Sequence, residues 1–226
     1  MLILDSSVVD CFVYTYKDGL LARLAHDLKL QIKDFKIQVS EEEGPATKSH
    51  WGVRVKAVLR AESIRSLTAM KDGAESPETL KKKDHADIEK NIAEHVLKPA
   101  KFPEIVFEST EVLGTVEKPQ TKGNLTLCGV TRPVVLSGKK TPTAYVGALV
   151  IHQPDFGIKP FTALMGAMKI KPEIKIGIRV HLDKLAGMFG ESGEMLKKAP
   201  AEVREVLGGL GTAGKAAKPK KARPRT

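Results

Sequence analysis

The stretch Ile174-Lys175-Ile176-Gly177-Ile178-Arg179-Val180-His181-Leu182 alternates without a break. Ile174, Ile176, Ile178, Val180 and Leu182 share one parity, while Lys175, Gly177, Arg179 and His181 share the other. Successive side chains on a β-strand point to opposite faces, so this pattern predicts a strand with one buried and one solvated face. A second stretch repeats it, with Trp51, Val53, Val55, Ala57 and Leu59 set against Arg54, Lys56 and Arg60. Half-buried strands of this kind belong to antiparallel sheets.

Outward from these two, further strand patterns cover residues 8–16, 28–39, 63–67, 104–113, 122–128, 133–137 and 145–152. Turn residues separate them: Gly44-Pro45 within 41–49, Pro119 within 114–122, and Gly138 and Pro142 within 137–143. The fold class read from this is all-β, an antiparallel barrel of about eight strands. Within 28–39 the phase changes, because Leu28, Leu30 and Ile32 have one parity and Phe35, Ile37 and Val39 the other. A bulge or bend at Lys33-Asp34 is required to keep both sets on one side.

One helix is expected over residues 87–97, with Asp87 as N-cap and Ile88, Ile92 and Val96 on one face. It should lid or flank the barrel. A second is expected from Pro200, carrying Val203, Val206 and Leu207 and ending at Gly208-Gly209. The organisation is therefore a folded domain over residues 1–207, including a C-terminal helical extension, and a disordered tail over 208–226.

The 226 residues carry a net charge of +10, but Lys215, Lys218, Lys220, Lys221, Arg223 and Arg225 supply six of those charges with no acidic residue among them. The body is only mildly basic. The tail suits an anionic partner such as nucleic acid or a membrane surface, or acts only as a solubilising extension. No segment is long and apolar enough to span a membrane, and the N-terminus reads as free of a secretory signal, so the expected compartment is the cytoplasm. Cys11 and Cys128 both fall in strand patterns and read as reduced, buried thiols.

Four blocks bear a family resemblance: GLLARLAHDL at 19–28, FPEIVFES at 102–109, GNLTLCGVTRPV at 123–134 and DFGIKP at 155–160. In order and spacing the chain resembles the YceI-like family over about residues 1–182. The resemblance implies an extended lipocalin-like antiparallel barrel with a tunnel for a polyisoprenoid or similar amphiphile. Composition is compatible with this: aromatic residues make up 5% and aliphatic ones are abundant, which suits a flexible lining for an alkyl or prenyl chain.

The ligand-binding candidates are Leu28, Leu30, Trp51, Val53, Leu125, Leu127, Ile176 and Ile178 on the inward faces, with the polar end of the ligand near His26, Asp27 or Arg132. Beside that reading, Asp27 or His26 satisfies backbone groups where the loop enters its strand. Arg132, Asp155 and Lys159 are expected to pair with one another at the rim rather than to hold a ligand headgroup. The remaining histidines, at 50, 85, 95, 152 and 181, lack metal-ligand spacing. No nucleophile elbow, phosphate loop or dinucleotide fingerprint is present. The expectation is a non-enzymatic carrier of a hydrophobic small molecule, without cofactor or metal. Its rivals are a filled barrel whose tail does the binding and a hydrolase or isomerase using His26 and Asp27. Exposed strand edges would let two copies pair as a homodimer.

Overall fold

The structure is a computed structural model, and it describes residues 1–20, 22, 25–41 and 52–189. Trp51, the 41–49 turn beyond Glu41, the helix expected from Pro200 and the basic tail lie outside these residues.

The decisive stretch forms β15 (Glu173–His181). It pairs antiparallel with β12 (Ala144–His152) on one side and β2 (Val9–Thr15) on the other. From there the sheet extends through β11 (Val130–Lys140), β10 (Lys118–Leu127), β9 (Glu104–Thr115), β6 (Val53–Arg60) and β5 (Phe35–Glu41) to the edge strand β1 (Leu2–Leu4). On the other side of β2 come β4 (Asp27–Ile32), β7 (Ile64–Lys71) and the edge strand β8 (Ala74–Ser76). Every pairing in this sheet is antiparallel.

Among the described residues the sheet has twelve strands, not about eight. One long strand of the sequence pattern breaks in two, β4 passing into β5 through Lys33-Asp34, while β6 and β7, read as separate strands, are joined by a tight turn at Ala61–Ser63. The short edges β1 and β8 account for the remaining difference. The break at Lys33-Asp34 also establishes the curvature. In strand order β5 is second and β4 tenth, which in a flat sheet would separate them by roughly 38 Å. The two residues that join them span about 11 Å at most. The sheet must therefore curl until its ends meet.

Ser63 fastens this corner. Its buried hydroxyl donates to the Arg60 carbonyl at 2.7 Å and accepts the Asp34 N–H at 3.0 Å, while its carbonyl accepts the Lys33 N–H at 3.2 Å. The expected phase change thus occurs at Lys33-Asp34, and Leu28, Leu30, Ile32, Phe35, Ile37 and Val39 all face the interior.

Other expectations need correction. Helix α1 (Lys82–Asn91) begins five residues before Asp87, with the Lys81 N–H donating to the Asp84 carboxylate at 2.8 Å. Its first turn is polar and carries no apolar period, so the pattern revealed only its second half. A π-helical stretch, Ile92–Leu97, continues it and ends at Lys98, which has φ of 51°. Leu182 does not extend β15 but opens α2 (Leu182–Phe189), its N–H bonded to the Thr143 carbonyl at 3.0 Å. Cys128 is not in a strand; with Gly129 it makes the two-residue turn between β10 and β11, both at positive φ. A small second sheet, ordered β13 (Thr162–Ala163), β14 (Met168–Ile170) and β3 (Lys17–Asp18), stands beside the large one.

Candidate functional site

The inward residues of the curled sheet do not meet at its centre. They line a cavity of about 730 Å³, within the roughly 300–1,000 Å³ usual for ligand pockets. Period-2 alternation builds the wall: β15 contributes Ile174, Ile176, Ile178 and Val180, while Lys175 and Arg179 take the other parity. One side is covered by α1 and the π-helical stretch, which turn Ile88, Ile92 and Val96 inward. Met168 and Ile170 of β14, with Phe161, complete the lining there. His95 stacks obliquely near Phe161, with ring centroids 6.4 Å apart, so helix and small sheet meet over the same part of the cavity.

Polar groups in this lining are few. Gln153 is buried, and its Nε2 is committed to the Lys171 carbonyl at 3.1 Å. Thr15 Oγ1 is buried and finds no hydrogen-bond partner among the described residues. An unpaired buried hydroxyl costs free energy, so Thr15 is a ready partner for a polar atom of a ligand. Asp84, Asp87 and Asn91 of α1 also reach the cavity, and His26 and Asp87 are exposed as well as lining, which marks where it opens to solvent.

Of the residues expected at a ligand site, Leu28, Leu30, Leu125, Leu127, Ile176, Ile178 and His26 come together on this lining. Asp27 accepts the Lys17 backbone N–H at 2.8 Å, so it ties the loop to its strand. Val53 is buried off the cavity, whereas its strand neighbours Val55, Ala57 and Leu59 line it. Arg132 is exposed, with its guanidinium on the Thr131 carbonyl at 3.0 Å. The rim pairing of Arg132, Asp155 and Lys159 does not form. Asp155 lies 3.1 Å from His152 Nδ1, and Lys159 lines a separate pocket of about 430 Å³ together with His95, Lys98, Phe102, Cys128 and Phe156.

Ile88, Ile92 and Val96 were read from their four-residue spacing as one face of a lidding helix but not counted among the ligand-site residues, and the β14 and Phe161 side chains were not singled out. His26 and Asp27 do not form a dyad: Asp27 is taken by the backbone, and the His–Asp pairs that do form among the described residues, His181 Nε2 with Asp10 Oδ2 at 2.8 Å and His152 with Asp155, involve residues outside the lining. Among the described residues, no cluster of three or more His, Cys, Asp or Glu side chains could hold a metal ion. Cys11 is unpaired, and burial pushes its thiol up to about 12, far from a reactive thiolate. Cys128, also unpaired, is raised by desolvation against an opposing influence of Lys98.

A model of the YceI-like domain matches residues 17–182, which take in β3 to β15, α1 and most of the cavity lining. The chain belongs to the YceI-like family. Other similarity to known proteins is local or distant. UPF0312 proteins of Yersinia pestis and Yersinia pseudotuberculosis are 46% identical over 59 residues, 26% of this chain and 31% of theirs. The chain thus spans about a third of the length of the curated relatives it matches. Among solved structures, Burkholderia cenocepacia BcnA is 14% identical with a TM-score of 0.49, over 76% of this chain and 95% of its own. The Campylobacter jejuni YCEI protein is 17% identical with a TM-score of 0.47, over 68% and 83%. A polyisoprenoid binding domain from Saccharophagus degradans is 9% identical with a TM-score of 0.44, over 77% and 97%. Among the described residues of this YceI-like chain, no helix is long and apolar enough to cross a membrane.

Proposed function

We propose that this YceI-like protein binds and carries a hydrophobic, lipid-like molecule in the cavity of its curled sheet and performs no chemistry on it. The observation that carries the reading is the cavity: about 730 Å³, lined mainly by Leu, Ile, Val and Phe. Each methylene moved from water into such a lining gains about 0.8 kcal/mol, so a long aliphatic chain is the natural occupant. A prenyl chain is the finer form of the proposal, favoured by the flexible aliphatic wall. Its polar end would take the Thr15 hydroxyl or the opening beside His26 and Asp87. The cavity also counts against a filled barrel.

Cytoplasmic residence, for which two unpaired thiols are suited, belongs to the same proposal and is checked by cell fractionation. Pairing of two copies through sheet edges would have to use β1 or β8, each three residues long, and short edges resist such pairing.

The test is titration with a polarity-sensitive apolar fluorophore followed by competition. Saturable uptake, reversed by a long prenyl alcohol more effectively than by a short one, is expected. No uptake above a bovine serum albumin-free blank would contradict the reading.

A further inference from the structure

The small sheet carries a surface unlike the rest of the molecule. Its strands β13 and β14 are joined by the turn 164–167, closed by the Ala167 N–H on the Leu164 carbonyl at 3.1 Å. Leu164, Met165 and Gly166 all have positive φ, at 52°, 52° and 86°. Glycine enters this region freely, but bulky side chains resist it. A sequence selected only to turn would place Gly or Asn there. Instead, Leu164 stands 58% exposed and Met165 fully exposed.

A third apolar side chain joins them. Leu20 is 93% exposed and follows Gly19, which is packed so closely on this turn that a Cβ there would stand 2.7 Å from the Ala167 carbonyl oxygen. Three protruding apolar side chains therefore share one tip, and they outline no groove.

The chemistry behind the tip is basic. Lys169 runs its aliphatic stem past Gly19 and Gly166, the posture of a lysine that buries its stem and holds its charge in water. Lys17 lies on β3 opposite Ile170, its backbone N–H on the Asp27 carboxylate, and Lys171 follows β14; none of these three lysines has an ion-pair partner among the described residues. Asp18 is the single acidic residue on the three strands. On the other face of the sheet, Met168 and Ile170 line the cavity close to Phe161.

We propose that the Leu20, Leu164 and Met165 tip docks on an anionic lipid bilayer, the apolar side chains entering the interface and the lysines meeting lipid headgroup charge. Docking there sets the cavity lining against the membrane, so that a hydrophobic molecule passes between them without crossing water. The exchange step rests on the cavity reading; the docking step stands on the tip alone.

The experiment is flotation of the full-length protein with vesicles of phosphatidylcholine containing phosphatidylglycerol, compared with phosphatidylcholine alone. The test variant is Leu164→Gly/Met165→Gly, which removes both side chains while suiting the left-handed backbone, so folding is retained. Wild type is expected to float with the anionic vesicles, less so as salt rises, and the variant to partition about tenfold more weakly. Failure of wild type to float, or equal flotation of the variant, overturns the proposal; equal flotation assigns binding to other charges, such as the tail. Fluorophore uptake in vesicle-free solution is expected to be unchanged in the variant. If wild type takes up no fluorophore, the cavity reading fails by itself while flotation still decides docking.

Discussion

Along β15 each inward side chain meets the cavity and the backbone is hydrogen-bonded to strands on both sides. Along α1 the first turn brings only the polar Asp84 to the cavity, the apolar Ile88 comes from the second half, and a π-helical stretch and a left-handed Lys98 follow. The small sheet beside that helix has strands of two or three residues and a turn in which Leu164 and Met165 take positive φ. Wall and cover enclose the same cavity with different reserves. The wall has redundant ladder bonding and continuous apolar burial, whereas the cover has few buried contacts and conformations that a side chain resists. Local opening free energies follow these differences, so the wall should carry stability and the cover should govern access.

The largest effect should come from the wall. Leu30 is 2% exposed, on β4 between β2 and β7. Leu30→Ala is expected to cost about 3 kcal/mol in denaturant unfolding, with fluorophore uptake retained because the change enlarges the cavity. A cost below about 1 kcal/mol would remove the wall's claim to hold the stability.

Ser63→Ala should cost less, about 1–2 kcal/mol, since it strips the buried bridge between the Arg60 carbonyl and the Asp34 N–H at the curl's corner. Asp84→Ala, in the cover, is expected to cost about 1 kcal/mol of helix capping or less. Its main readout is faster release of bound fluorophore in stopped flow with an almost unchanged melting midpoint. The reverse pattern would show that α1 belongs energetically to the wall.

The smallest effect is a pH limb. Burial raises the Cys11 thiol from 9.0 to about 12 and the Tyr145 hydroxyl from 10.0 to about 12, Glu117 adding to the latter. The unfolded chain therefore releases these protons at lower pH than the folded one. Their stabilising contribution is complete below about pH 9 and is lost as pH rises toward 12. Cys11→Val should flatten the alkaline limb of a stability profile. In thiol labelling of the native protein, Cys128 in its turn should react well before Cys11 in the wall.

This contrast also explains what could be read from the amino-acid order. Alternation reports a strand with two unlike faces, so Ile174–Val180, the phase change at Lys33-Asp34 and the inward Leu28, Leu30, Leu125 and Leu127 were all legible. It cannot report edge strands of three residues, so β1 and β8 went unread, and 28–39 was counted as one strand although its bend was legible; twelve strands therefore read as about eight. The cover left weaker marks. Lys82-Lys83-Asp84 carries no apolar period, Leu182 kept the parity of β15 while starting a helix, and β13 and β14 are too short to alternate. Val53 had the right parity but sits beyond the cavity, and Arg132 belongs to a distinctive block yet points its guanidinium to its neighbour's carbonyl. Parity predicts a face, not a place along it.

The central claim is that the curled sheet encloses a working hydrophobic site. It is tested most directly by purifying the protein from its native host without detergent and analysing an organic extract by mass spectrometry. A near-stoichiometric long-chain lipid or prenyl compound is the predicted result. An empty extract, together with no thermal shift on adding long-chain amphiphiles, would contradict it.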